Sequence, residues 1–507
     1  MTTSEIGILI SIIVYMVAII GIGVYYSKVN NSTEDFYLGG RKLGPFVTAM
    51  SAEASDMSSW LLMGLPGVAY LTGVCNAFWT AVGLGIGTYV NWLIVAKRLR
   101  KYSVICGDAI TVPDFFANRY RDKKVLKCVS ALMIIIFFVP YTASGFAACG
   151  KLFHSLFGVD YMAAMVISAI VIVAYTTLGG FWAASTSDFI QSIVMSVALI
   201  IVIGYGVYSV GGIDVVASNV KDLPGYINLN ATFDATTNSS SPYGIITIFS
   251  TLAWGLGYFG MPHILLRFMA IEDKNKIKLS RRIASVWVVI AMAVAIFIGV
   301  IGHTMSQVGV IDNLKDSETI IVQIANVLSS HGILFAIIAG VILAGILAST
   351  MSTSDSQLLA ASSSVTENLM DGVLGIKLSE KAKVIVARCT VIGIAIVAIF
   401  LASNPDSSVF QIVSFAWAGF GSTFGPVMLF ALFWKRSNKY GAISGMVAGG
   451  AMVFIWKFVV RPLGGAWDIY ELLPAFIVAC VFIIVISLLT KAPEQDIIDE
   501  FDSVKNA

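Results

Sequence analysis

The chain has 507 residues, of which 57% are hydrophobic and only 12% are Asp, Glu, Lys or Arg. Soluble domains contain about 25% charged residues, so this composition, with a mean hydropathy of +0.86, predicts an integral membrane protein and excludes a soluble enzyme or a disordered scaffold. The net charge of +2 conceals a one-sided distribution of basic residues along the chain.

Apolar runs long enough to cross a bilayer recur throughout the chain. A crossing needs about 20 apolar residues, and the sequence contains thirteen such runs. The first follows Met1–Glu5 without a basic segment, which favours a retained helix over a cleaved signal peptide. The predicted spans cover residues 6–26, 46–74, 77–96, 126–153, 161–178, 189–210, 243–266, 282–305, 332–366, 384–402, 410–434, 440–459 and 473–490.

Basic residues predict the orientation. Of the 32 Lys and Arg residues, 26 lie in alternate connections, beginning with residues 27–45, and in the C-terminal tail. Because Lys and Arg accumulate in cytoplasmic loops, the N-terminus is expected outside and the C-terminus in the cytoplasm. The basic segments 97–127 and 267–282 are interpreted as loops facing an anionic lipid leaflet, not as a nucleic-acid surface. The opposite connections contain only Lys221, Lys315 and Arg461.

Polar residues interrupt two of the predicted spans. The second contains Glu53 and Asp56 among small residues, and carboxylates at hydrocarbon depth normally face a cavity. The seventh contains Gly255, Gly257, Gly260 and Pro262, which are expected to break its helix. Discontinuous helices at matching positions in two halves indicate a transporter site. The alternative is a pair of kinks without a ligand.

The ninth span ends in a third polar stretch. Residues 349–356 contain six hydroxyl side chains and the carboxylate of Asp355. Single hydroxyls in membrane helices often bond to their own helix carbonyls, but such a dense group offers the oxygen ligands that hard cations prefer.

In the third span, Gly83, Gly85 and Gly87 are interpreted as places where two helices approach closely, not as a nucleotide-binding loop.

These segments resemble the sodium:solute symporter family, and within it the sodium/proline symporters. The resemblance covers nearly the whole chain, and it implies an all-α polytopic protein of about 13 transmembrane helices with an inverted five-plus-five repeat. The single transporter domain would comprise a first helix and loop (1–44), two repeats (45–210 and 243–434), two further helices (440–490) and a cytoplasmic tail (491–507). The matching motifs are Leu38–Arg41, Ala54–Ser58, Gly179–Gly180, Trp254–Leu265, Met351–Thr353 and Ala416–Gly421.

The resemblance also implies the site residues, position by position. Sodium would be held by the backbone carbonyls of Ala54, Met57 and Ser349 and by the hydroxyls of Ser352 and Thr353, with Asp56 nearby. Proline would lie in a midplane pocket formed by Ser58, Trp60, Tyr141, Trp254, Tyr258 and Pro262. The chain departs from the family pattern at Glu53, Ser59 and Ser349.

A second cation site is a further expectation. Ser352, Asp355 and Ser356 fall at i, i+3 and i+4, so they share one helix face. The ninth span is predicted to run from outside to inside, which places Asp355 in its cytoplasmic half. Asp188 opens the sixth span from the cytoplasmic side. Some members of the family build a second sodium site from positions that match these residues. Asp188, Asp355 and Ser356 are therefore candidate ligands. The alternative is that Asp355 reaches cytoplasmic water and pairs with nothing.

The expected function is sodium-coupled import of L-proline across the plasma membrane by alternating access. Another small solute, such as pantothenate, sialic acid or an osmolyte, remains an alternative, as does proton coupling through Glu53 and Asp56. A transporter-like sensor or channel is less favoured, because the tail 491–507 is too short for an output domain. No catalytic triad order or Walker lysine occurs in a predicted water-accessible loop, so no enzyme activity is expected.

Overall fold

The computed structural model describes residues 2–27, 37–376 and 379–506, and helices dominate this part of the chain. Part of the predicted first loop, residues 28–36, lies outside the described residues. Among the described helices, ten are long and apolar enough to cross a membrane, and one further pair, bent by 45°, forms a broken span. The two remaining predicted spans coincide with the interrupted segment 45–72 and with the shorter apolar helix Tyr161–Thr177. Each predicted apolar run therefore coincides with helical structure.

The helices are numbered in chain order. The first nine are α1 (Thr3–Ser27), α2 (Pro45–Ser59), α3 (Leu65–Thr72), α4 (Val74–Val90), α5 (Ala96–Ile105), α6 (Val112–Arg119), α7 (Val125–Phe157), α8 (Tyr161–Ser209) and α9 (Ile213–Lys221). Helix α8 is kinked at Gly180, so its two parts form two separate predicted spans. The others are α10 (Ile245–Leu252), α11 (Pro262–Ala270), α12 (Ile277–Gln307), α13 (Ile320–Ser329), α14 (Ile333–Ser363), α15 (Glu380–Leu401), α16 (Val409–Phe433), α17 (Lys439–Ile455), α18 (Leu472–Leu489) and α19 (Gln495–Asn506).

The first expected break lies at the end of α2. Helix α2 begins with Pro45, whose fixed φ suits a first helical position. It is interrupted at Ser58, which has φ 47° and ψ −171°. A non-glycine residue in this region costs of order 1–3 kcal/mol and is typical of functional sites. The chain then continues through a π-turn, Trp60–Gly64, into α3.

The second expected break separates α10 from α11. Here the backbone narrows into a 3₁₀ segment, Ala253–Phe259, and Pro262 then starts α11. Gly257 is required in this segment because a Cβ atom at that position would overlap the indole of Trp417. The break predicted from Gly and Pro is therefore present.

Close packing surrounds both broken helices. Helix α14 packs along α8 and against α2, and α1 covers α8 and α14. The chain before α2 pairs with the chain after α11 in a parallel bridge between Leu43 and Ile271. Two glycines of α4 lie against the backbone of the α10–α11 segment, Gly83 against Leu252 and Gly87 against Gly255. The contacts are so close that a Cβ atom at either glycine would overlap that backbone. The interpretation of these two glycines as sites of close helix packing is confirmed.

One connection contains a small sheet. Strands β1 (Ala231–Asp234) and β2 (Ser239–Pro242) form an antiparallel hairpin between α9 and α10. The prediction of an entirely helical chain is therefore wrong at this connection, which contains two strands. This polar connection satisfies its backbone groups by strand pairing instead of helix formation.

Candidate functional site

Four of the five predicted sodium ligands are linked by hydrogen bonds where α2 faces α14. The Ser352 hydroxyl shares its one hydrogen between the carbonyl of Ala54 at 2.8 Å and the carbonyl of Ser349 at 3.2 Å. The Oγ1 of Thr353 donates to the same Ser349 carbonyl at 3.1 Å. Met57, the fifth, lies directly before the break in α2. Buried oxygens from two helices thus converge where a backbone ladder is interrupted.

The chemistry of these groups suits a hard monovalent cation. They are neutral hydroxyl and carbonyl oxygens, the ligand type that hard cations prefer. The described residues contain no group of three or more His, Cys, Asp or Glu side chains that could hold a metal ion. Neutral oxygens of this kind do not match the imidazole and thiolate ligands that zinc and copper prefer.

Two buried carboxylates lie on α2 beside this group. The Oδ2 of Asp56 accepts a hydrogen bond from the Tyr258 hydroxyl at 2.6 Å, and its backbone carbonyl accepts one from Tyr141 at 3.1 Å. The Oε1 of Glu53 accepts a hydrogen bond from the Trp92 indole at 3.1 Å. Each carboxylate has a second buried oxygen without a hydrogen-bond partner among the described residues. Both are therefore buried acidic groups with an unused oxygen next to the predicted sodium ligands.

The six predicted substrate residues are all buried. The rings of Trp60 and Trp254 lie 5.5 Å apart, and the ring of Tyr258 meets Trp417 edge-on at 5.2 Å. The Trp417 indole also donates to the carbonyl of Trp254 at 2.7 Å, which fixes the 3₁₀ segment. The two broken helices therefore present their aromatic side chains to each other. Ser58, Tyr141 and Pro262 complete the predicted set.

A cavity of about 860 Å³, here called the vestibule, lies beside the aromatic residues and is lined in part by Gly64, Phe410 and Ser414. The ring of Phe410 lies 5.8 Å from Trp60 and 5.5 Å from Trp254. None of the six predicted substrate residues lines the vestibule. Phe410 therefore stands between this cavity and the two tryptophans.

The predicted second cation site contains the guanidinium of Arg267. Its Nη2 donates to Asp188 at 3.1 Å and to Ser356 at 2.6 Å, and its Nε donates to Ser51 at 3.0 Å. Ser356 also donates to Asp355 at 3.2 Å. Asp355 is only 1% exposed, so the alternative in which it reaches water is wrong in this structure. Arg267 therefore contacts Asp188 directly and is linked to Asp355 through Ser356, so the cluster already contains a positive charge.

Several residues of this site were not selected from the sequence. The sequence predicts that Arg267 begins a basic loop, but it lies within α11 and is 1% exposed. Phe410 and Tyr470 carried no motif, although Tyr470 stacks on Trp254 at 5.1 Å. Trp417 belongs to a motif that was recognised without being given a role. Only contacts between distant parts of the chain reveal these side chains.

Known proteins resemble this chain in fold and sequence. The structure of a sodium-coupled sialic acid symporter in a substrate-bound, outward-open state matches with a TM-score of 0.77, covering 96% of this chain and 99% of that chain at 16% identity. At this identity the likeness concerns the fold alone.

Curated relatives are closer in sequence. The chain is 43% identical over 503 residues to the sodium/proline symporter of Haemophilus influenzae, with 98% of each chain covered. It is 42% identical over 493 residues to the osmoregulated proline transporter OpuE of Bacillus subtilis, and this alignment covers 97% of this chain and 96% of OpuE. The sequence profile of the sodium:solute symporter family matches residues 36–449. The chain belongs to the sodium:solute symporter family, and it is a multi-pass protein of the plasma membrane.

Proposed function

We propose that the protein imports L-proline together with sodium by alternating access, as a secondary transporter and not as an enzyme. Relatives about 40% identical over nearly the full chain carry the name sodium/proline symporter. The observation that carries the proposal is the 2.8 Å contact between the Ser352 hydroxyl and the Ala54 carbonyl. It joins α14 to α2 beside the break, where an ion would bring the same oxygens together.

The proposed architecture follows from the two breaks. Thirteen crossings would be arranged as an inverted repeat of residues 45–210 and 243–434, preceded by the 1–44 segment and followed by 440–490 and the tail 491–507. The N-terminus would lie outside and the C-terminus in the cytoplasm, because Lys and Arg are concentrated on one side. Helices α2 and α10 would then be the matching first helices of the two halves.

The sodium site would consist of the Ala54, Met57 and Ser349 carbonyls and the Ser352 and Thr353 hydroxyls. Sodium binding would replace the donor–acceptor bonds among these groups with ion–oxygen contacts. The hydroxyl hydrogens would then turn away from the ion. Because the ligands come from both α2 and α14, the ion would set the separation of the two helices, which provides a route from sodium binding to conformation.

The proline pocket would lie between the two breaks. Trp60, Trp254 and Tyr258 offer flat apolar surfaces suited to a pyrrolidine ring, and Ser58 and Pro262 flank the interrupted backbone. Free N–H groups at a helix break favour a carboxylate. Proline would reach the pocket from the vestibule after the Phe410 and Trp60 rings separate, and Tyr141 would hold the α2 break through its bond to the carbonyl of Asp56.

Asp188, Asp355 and Ser356 are proposed as a second cation site of unusual composition. In the described arrangement Arg267 supplies the cation. Sodium would enter this cluster only if the guanidinium moved away from Asp188. Glu53 and Asp56, being buried, are the candidate proton acceptors if a proton replaces sodium.

The driving force is large enough for accumulation. One charge that crosses about 100 mV releases ~2.3 kcal/mol, which corresponds to roughly 50-fold accumulation before any sodium gradient is added. Purified protein in liposomes should therefore accumulate labelled proline when sodium is supplied outside with an inside-negative potential. Pantothenate, sialic acid and betaine serve as competitors. Uptake of labelled proline that is equal with and without sodium would contradict the proposal. Uptake that an excess of unlabelled proline does not reduce would also contradict it.

The pocket assignment has its own test. Trp254→Ala should weaken proline binding far more than sodium binding, because the indole would contact the ring and not the ion. Trp456→Ala is a matched control, since Trp456 directly follows α17 and lies outside both broken helices. Proline binding that survives Trp254→Ala unchanged would place the pocket elsewhere.

A further inference from the structure

A cavity of about 270 Å³ lies between the end of α6, the start of α17 and the segment that leads into α19. Four basic residues line it, Arg119, Arg121, Lys439 and Lys491, together with one acidic residue, Glu494. It is separate from the vestibule and from both predicted cation sites. The excess of positive charge predicts an anionic occupant.

Arg119 is the strongest feature of this cavity. It is 0% exposed, and its Nε donates to the carbonyl of Ala431 at 3.1 Å. Its Nη1 and Nη2 are buried and have no hydrogen-bond partner among the residues that the structure describes. The guanidinium lies over the rings of Tyr102, Tyr120 and Phe501 at 5.1–5.7 Å. Ring contacts hold the charge in place but leave its outer N–H donors unused. A guanidinium presented in this way suits the paired oxygens of a phosphate group.

The start of α17 adds a second positive element. Asn438 caps this 17-residue helix by accepting from the backbone N–H of Gly441 at 3.0 Å. The cavity wall includes Ser437, Asn438, Lys439 and Tyr440, so the positive end of the helix faces the cavity. The Ser437 hydroxyl contacts the hydroxyl of Tyr120.

Two of the basic residues have no ionic partner in the described part of the chain. Arg121 pairs with Glu500 at 2.7 Å, which ties α19 to the end of α6. The Nζ of Lys439 lies 5.2 Å from the ring of Tyr440, and neither Lys439 nor Lys491 forms an ion pair with a described residue. We propose that this cavity binds a phosphate group, carried either by a phospholipid headgroup or by free inorganic phosphate. Its occupancy would join the segment before α19 to α6 and α17.

Binding can be measured on the purified full-length protein in detergent. Native mass spectrometry would compare the amount of phosphatidylglycerol that stays bound to the protein with the amount of phosphatidylcholine. Thermal unfolding would be titrated with sodium phosphate against sodium chloride at equal sodium concentration and ionic strength. The double variant Lys439→Gln, Lys491→Gln should bind the phosphate probe roughly 25-fold more weakly, since each basic contact contributes about 1 kcal/mol. The matched control is Lys435→Gln, in the connection just before α17 and outside the cavity.

The lipid-retention and thermal-unfolding measurements distinguish the two sources of phosphate. Selective retention of phosphatidylglycerol by the wild type and the Lys435→Gln variant, lost in the double variant, would support a lipid headgroup. A rise in Tm with inorganic phosphate alone, lost in the same variant, would support free phosphate. Arg119→Met should abolish either signal. If the double variant and the control bind both probes as the wild type does, or if neither probe binds the wild type, the proposal is overturned.

Discussion

Replacing Ser352 by Ala tests the proposed sodium site at a single atom. In the described arrangement the Ser352 Oγ lies 2.8 Å from the Ala54 carbonyl and 3.2 Å from the Ser349 carbonyl. Losing these neutral bonds should cost about 1 kcal/mol of stability. Losing a ligand to a charged ion should cost about 1.5–3 kcal/mol of sodium binding. The sodium concentration for half-maximal proline uptake should therefore rise roughly 10- to 150-fold.

Ser349→Ala is the matched control for this experiment. Its carbonyl is the proposed ligand, whereas its hydroxyl bonds back to the carbonyl of Ile346 at 2.8 Å. The Ser349→Ala variant should keep a sodium dependence within about twofold of the wild type, because a backbone carbonyl survives the substitution. Sodium-dependent uptake into proteoliposomes, corrected for the amount of reconstituted protein, measures both variants. An unchanged half-saturating sodium concentration in Ser352→Ala would refute the assignment of this hydroxyl.

Three further substitutions probe the surrounding groups. Tyr258→Phe removes the 2.6 Å bond to Asp56 and should lower Tm and raise the Kd for proline, as judged by thermal unfolding and equilibrium binding; no change in either would show that the bond is dispensable. Asp188→Asn leaves Arg267 buried without its 3.1 Å partner, so we expect about 3–5 kcal/mol of destabilisation and a greater loss of sodium-driven uptake than of sodium-independent proline binding; equal losses would argue against a role in coupling. Asp355→Ser should change the sodium Hill coefficient or the pH profile of uptake, and if both stay as in the wild type, Asp355 has no part in coupling.

Helix positions and both broken helices could be predicted from the sequence, because apolar length and Gly/Pro breaks are local signals. The residues that complete the site depend on contacts over long sequence separations. Arg267 is 79 residues from Asp188, so its sequence neighbourhood looks like an ordinary basic loop. The sequence places Arg119 in a basic loop for the same reason, yet it is fully buried. A count of Lys and Arg reports the side of the membrane, not which of the side chains fold inward.

The hairpin and the aromatic contacts show a related limit. The polar connection before α10 has little apolar periodicity, so only the pairing of β1 with β2 shows that it contains strands. Phe410 and Tyr470 look like ordinary apolar residues at the start of a helix and in a loop. Their contacts with Trp254 exist only because α16 and the segment before α18 pack against the 3₁₀ segment.

The most direct measurement of the central claim is the equilibrium binding of labelled proline to purified protein over a range of sodium concentrations. If sodium binds between α2 and α14 and favours the proline-binding state, sodium should lower the Kd for proline, and proline should lower the Kd for sodium by the same factor. The Ser352→Ala, Thr353→Ala double variant should lose this linkage while still binding proline at very high sodium. Proline binding that does not depend on sodium in the wild type, or linkage that is unchanged in the double variant, would contradict the account.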